Sequence, residues 1–233
     1  MDSPKNAGRT IALAMLVQVV LSPPVYFRWM RPATSSDFLA NAAASADTVR
    51  FGMLLTFVLG AMTIVASLAA FPIIRRHSER LALAYVGLAF AGFATLMADT
   101  VGLRNLLALS MEFAKPGAPS DLLQTLATVG RANWISAHYT NLTISHGTVF
   151  LFFVILFRFA LVPKVLAALG LAASALSTTT VASMLVGYPI PFSRGIMPMA
   201  VVTLVLIAWL LFRGLADRTT SRKTSEDIAF ARA

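Results

Sequence analysis

The chain has 233 residues, of which 58% are hydrophobic and 12% charged, with a formal net charge of +9 and no cysteine; its mean hydropathy is +0.76. Ordinary soluble domains carry about 25% charged residues, so one water-soluble core is excluded as the class. The missing thiols exclude disulfides, thiolate metal sites, iron–sulfur clusters and covalently attached haem.

Apolar runs of about twenty residues are the length at which a helix crosses about 30 Å of hydrocarbon. They predict an all-α integral membrane bundle of six transmembrane helices, near 11–30, 51–74, 81–103, 140–161, 165–187 and 195–213. Residues 1–218 form one domain on this reading, and 219–233 a polar tail without structure of its own. The first run follows Lys5 and Arg9 as a signal peptide would. Ser22-Pro23-Pro24 interrupts it where small residues should mark a cleavage site, so it is read as a retained span. The same prolines must break or kink the outer end of that span.

A loop follows in which Ser35-Ser36-Asp37 precede the Ala-rich Phe38–Ala44, predicting a short interfacial helix. Spans two and three are joined by the basic turn Arg75-Arg76-His77-Ser78-Glu79-Arg80. The next loop, Arg104 to Ala137, is broken at Lys115-Pro116-Gly117-Ala118-Pro119-Ser120 and carries a second short helix over Asp121–Val129. Val162-Pro163-Lys164 makes a tight turn between spans four and five, and Pro189-Ile190-Pro191 precedes span six. Span five, with Ala172-Ala173-Ser174-Ala175 and Ser177-Thr178-Thr179-Thr180, is small and polar enough to be the central, closely packed helix.

The basic residues sit at the ends of apolar runs, which reads as topology and excludes nucleic acid as the partner. Lys5, Arg9, Arg75, Arg76, Arg80, Arg158, Lys164, Arg213 and the basic residues of the tail fall on one side, and fewer on the other. The excess of positive charge then places both termini in the cytoplasm of a bacterial inner membrane. Membrane lipids are the expected partners, with other membrane subunits or a second copy of the chain as alternatives.

The segment from Phe152 to Leu171 reads Phe-Phe-Val-Ile-Leu-Phe-Arg-Phe-Ala-Leu-Val-Pro-Lys-Val-Leu-Ala-Ala-Leu-Gly-Leu. An apolar span that ends on a basic residue, a Leu-Val-Pro-Lys turn and a next span opening with Leu169-Gly170 resemble the hallmark of a bacterial multi-pass family, domain of unknown function 4386. Asp37-Phe38-Leu39-Ala40-Asn41 extends the resemblance, which covers about residues 8 to 216. Lys164 stands where arginine is more usual in that family. The resemblance implies an uncharacterised six-span bundle and carries over no catalytic residue.

Five residues are candidates for a ligand-binding site: Asp99, His138, Asn141, Ser145 and His146. Asp99 is the one acidic residue well inside an apolar run, where a carboxylate costs about 2.5–3.5 kcal/mol to insert and so turns inward or finds a partner. Its alternative is a helix-end marker, solvated or paired with an arginine such as Arg104. At 100° per residue Trp134, His138, Asn141 and Ser145 share one stripe of span four, with His146 beside it. The stripe is either a polar pocket wall or hydrogen-bonding glue between helices.

No lysine lies within a span, which excludes a retinal Schiff base. His138 and His146 share one helix, which argues against a haem held within one chain. Nucleotide motifs and nucleophile elbows are absent, and neither a metal set nor any cofactor is specified. Three functions stay open: a small-molecule or lipid binding or transport protein with an outward-facing pocket between spans three and five, an accessory subunit of a larger complex, or a membrane enzyme acting on a lipid-soluble substrate.

Overall fold

The computed structural model describes residues 3–188 and 190–216; the predicted tail over 219–233 lies outside the described residues. The fold is all-helical. Helix α1 (Pro4–Pro24) continues through a π-helical turn, Val25–Trp29, into the short α2 (Arg31–Thr34) and α3 (Phe38–Asn41). The long helices α4 (Ala46–Arg75), α5 (Glu79–Phe113), α6 (Ser120–Arg158) and α7 (Lys164–Leu185) follow, then the short α8 (Phe192–Gly195) and α9 (Met197–Phe212).

Five of these helices are long and apolar enough to cross a membrane: α1 with its π turn, α4, α5, α6 and α7. The sixth predicted span corresponds to α9, which is apolar but only 16 residues long. The five long helices and α9 close into a ring in which α1 packs on α4, α4 on α5, α5 on α6, α6 on α7, α7 on α9, and α9 back on α1. Span five was expected at the centre. Instead α7 is one member of the ring, and its small residues Ala173, Ser174, Ser177 and Thr180 bring it close to its neighbours on one side while Val165 and Leu169 stay exposed on the other.

One end of the ring gathers the chain's turns. The backbone N–H of Leu215 donates to the Pro4 carbonyl at 3.3 Å and that of Ala216 to the Leu161 carbonyl at 2.8 Å. His77 stacks on Phe159 at 4.8 Å. The Ser78 side chain caps α5 by accepting from the Leu81 N–H, which satisfies one of the donors a helix start leaves free. Between α6 and α7, Ala160 adopts a left-handed φ of 49° and the apolar Leu161 and Val162 turn into the core. The Leu169-Gly170 pair has an equally plain purpose: a β-carbon at Gly170 would run into the Phe153 ring, which is fully buried against α7.

The other end departs from expectation. The predicted loop from Arg104 to Ala137 shrinks to the turn Ala114–Pro119, and the separate helix over 121–129 is the first part of α6. By helical rise, the 35 residues of α5 and 39 of α6 extend about 52 and 58 Å, so both overshoot a hydrocarbon layer of about 30 Å. The break at Lys115–Pro119 is the only stop signal between two uninterrupted helical patterns, which explains why these arms are helical. Segment 31–45 packs against the α5 arm, where the Ser110 hydroxyl donates to the Leu39 carbonyl at 2.9 Å and accepts from the Ala43 N–H at 2.8 Å. Arg131 of α6 reaches back to the carbonyls of Thr34 and Ser35.

Two apolar cores result. One, built on Ile11, Ala70, Ile73, Tyr85, Phe153, Leu156 and Leu206, fills the end where the chain's turns meet. The other, built on Val25, Phe38, Val49, Leu103, Leu106 and Trp134, fills the arm end.

Candidate functional site

The polar residues collect where the two cores meet. Asp99 on α5 is only 4% exposed. One oxygen of its carboxyl group, Oδ2, lies 3.0 Å from His138 Nδ1 and accepts from the Asn141 amide at 3.4 Å, both on α6. No arginine reaches it among the described residues, which overturns the alternative of a helix-end carboxylate paired with Arg104. Counted at 1.5 Å per residue from Glu79 and Arg158, Asp99 and His138 each lie about 30 Å along their helices. A hydrocarbon layer of about 30 Å starting at the turn end would have the pair near its far edge.

Asn141 links this pair to the interior. With its amide nitrogen turned to Asp99, its oxygen accepts from the hydroxyls of Thr95 and Ser145, each at 3.4 Å. One turn further, His146 Nδ1 lies 3.0 Å from the Ser177 hydroxyl of α7. That hydroxyl also lies 3.1 Å from the Ser174 carbonyl, to which it donates. The oxygen is then left to accept from His146, which puts the imidazole proton on Nδ1 and leaves Nε2 as an acceptor. Trp134 stacks on His138 at 5.3 Å, and its Nε1 is the one buried side-chain N or O without a hydrogen-bond partner among the described residues.

A cavity of about 350 Å³ opens between α1, α4, α5 and α6. Asn141, Ser145 and His146 line it; Asp99 and His138 stand outside the lining, with Asn141 between. The structure thus brings all five predicted residues into one region but divides them into the Asp99–His138 pair, off the wall, and the cavity wall itself. It also moves the pocket. Expected between spans three and five, it takes its walls from the first four long helices and none from α7, because the small residues of α7 close that side of α6.

Sequence reasoning missed half the wall. Gln18, Ser22 and Tyr26 of the first helix and Thr63 of α4 line the cavity. Gln18 is fixed by donating to the Leu59 carbonyl at 3.0 Å and to the Thr63 hydroxyl at 2.6 Å. Spacing could have found them, since 18, 22 and 26 recur every fourth residue on an otherwise apolar span. Tyr26 owes its place to the prolines: Pro23 and Pro24 supply no N–H, and the chain answers with a π turn closed by the Met30 N–H on the Val25 carbonyl at 2.9 Å. The helix is locally rewound rather than broken, and the Tyr26 ring meets His138 at 6.2 Å. Neither the Tyr26 nor the Tyr85 hydroxyl, both on the wall, has a hydrogen-bond partner among the described residues.

Among the described residues, no three His, Cys, Asp or Glu side chains come together as a metal set. The arrangement can hold a molecule within the layer and offer it hydroxyl donors and amide or imidazole acceptors. No curated protein and no solved structure matches the chain. A family model does match, over residues 10–214, and with most of the sequence covered the chain belongs to the family described as Domain of unknown function (DUF4386).

Proposed function

We propose that this membrane protein binds a small molecule within the bilayer, in the cavity enclosed by α1, α4, α5 and α6. The observation that carries the reading is the cavity itself. Its 350 Å³ fall in the range of ligand pockets, about 300–1,000 Å³, and its wall is mainly apolar with a few placed polar groups, as such pockets are. Helix-to-helix glue would pair its polar groups across a closed interface, whereas the hydroxyls of Tyr26 and Tyr85 stay unpaired on an open wall. In mild detergent, native mass spectrometry is expected to find the protein carrying one small-molecule adduct that survives gentle desolvation. A bare protein would count against the reading.

A specific observation also favours the accessory-subunit alternative. Leu122, Leu126 and Val129 are between 46% and 57% exposed on the first turns of α6, in the part that overshoots the hydrocarbon layer. A second protein chain in that mass spectrum, instead of the adduct, would support it.

The membrane arrangement that goes with the first reading is one six-span domain over 1–218, with α9 as the sixth span and both termini in the cytoplasm of a bacterial inner membrane. Eight basic residues at the turn end, Lys5, Arg9, Arg75, Arg76, Arg80, Arg158, Lys164 and Arg213, support that orientation. The natural chain has no cysteine, so single cysteines report without background. Lys115→Cys is expected to react with an impermeant maleimide on intact cells, and Lys164→Cys only after lysis. The reverse pattern would invert the protein.

A further inference from the structure

Resting on that reading, we propose that the cavity takes a neutral, single-chain amphiphile, its polar group toward Tyr26 and Asn141 and its chain toward Ile11 and Tyr85.

Neutrality follows from the wall. It contains no Asp, Glu, Lys or Arg, and its ionisable side chains are Tyr26, Tyr85 and His146, whose usual form near neutral pH is uncharged. A charged head would leave its water for a surface with no counter-charge. Asp99 does not compensate: it stands behind Asn141, engaged by His138, and its negative charge opposes an anionic head in particular.

Direction follows from the antiparallel helices. Tyr26 of the π turn meets His138 of α6 at one end, and Tyr85 of α5 stacks on Phe152 of α6 at the other, 5.2 Å apart. Between these ends the wall of α1 changes from Tyr26, Ser22 and Gln18 to Met15 and Ile11. The wall of α6 changes in the same direction, though less sharply, from Asn141, Ser145 and His146 to Val149 and Phe152, with Leu142 and Thr148 between them. On these two helices polar groups gather at the arm end and apolar ones at the turn end, while α4 adds Thr63 midway and α5 is apolar along the wall except for Tyr85 at the turn end. Ile11 and Tyr26 are about 22 Å apart by helical rise, and a volume low in the ligand-pocket range drawn out over that length is a slot for one chain.

The test uses the full-length protein in detergent with three probes that share one chain: oleyl alcohol, oleate and oleylamine. Oleyl alcohol is expected to bind one per protein, at least tenfold more tightly than either charged probe. Tyr26→Phe should weaken it about fivefold, the loss of one hydrogen bond, with Ser22→Ala as a second variant at the same end. Tyr85→Phe should leave it within twofold. Equal or tighter binding of oleate or oleylamine, or no binding of oleyl alcohol, overturns the proposal; loss on Tyr85→Phe with Tyr26→Phe silent overturns its direction. The two levels separate through the native adduct. A charged adduct that Ala89→Phe removes would keep the cavity reading and end the neutral amphiphile, whereas an adduct that Ala89→Phe leaves in place would end both.

Discussion

Replacing His138 with alanine is expected to destabilise the folded protein by about 3–5 kcal/mol, the usual effect of leaving a buried charge without its partner. Asp99 is 4% exposed and would keep only the Asn141 amide at 3.4 Å. The cost comes from the carboxylate left behind more than from the bond removed. Asp99→Asn combined with His138→Ala should therefore recover most of the loss, since a neutral amide needs no counter-charge. Ser145→Ala sets the scale, because an ordinary interhelical hydrogen bond in a membrane protein averages about 0.6 kcal/mol. Reversible unfolding in mixed detergent micelles measures all three. A His138→Ala protein no weaker than Ser145→Ala would mean that Asp99 is held as the neutral acid.

The second large effect concerns binding. Ala89→Phe places a phenyl ring inside the cavity from α5, where Ala89 is 1% exposed and lines the wall. Loss of the bound adduct by more than tenfold is expected, with stability changed by less than about 1.5 kcal/mol, because the ring enters existing space and does not crowd a packed core. Leu83→Phe, on the exposed side of the same helix at 57%, is the matched control and should bind as the natural chain does. Equal adduct in all three proteins would place the ligand elsewhere. Because Asp99 and His138 lie off the wall, the two experiments are separable: the first tests stability at the Asp99–His138 pair, the second occupancy of the slot.

The residues of the site were legible to different degrees, for physical reasons. Asp99 stood out because a carboxylate in an apolar run is costly, and the stripe of His138, Asn141 and Ser145 because helical period is visible in one dimension. The partnership of Asp99 with His138 joins residues 39 apart in the chain, and nothing local in the sequence selects that histidine over Arg104. Gln18 and Tyr26 were weaker signals, one a lone amide and the other placed by a π turn that the two prolines require but do not specify.

By itself the sequence determined the class, the long apolar helices, the tight turn at Val162-Pro163-Lys164 and the family, because these depend on local hydrophobicity and on residues such as Gly170 whose role is steric. Tertiary structure alone decided that α5 and α6 run on as paired arms, that α7 is a ring member and not the hub, and that the cavity takes its walls from the first four long helices. Each of these depends on which helix faces which. Within a membrane a lipid-facing and a protein-facing apolar side chain are chemically alike, so only the packed bundle distinguishes them.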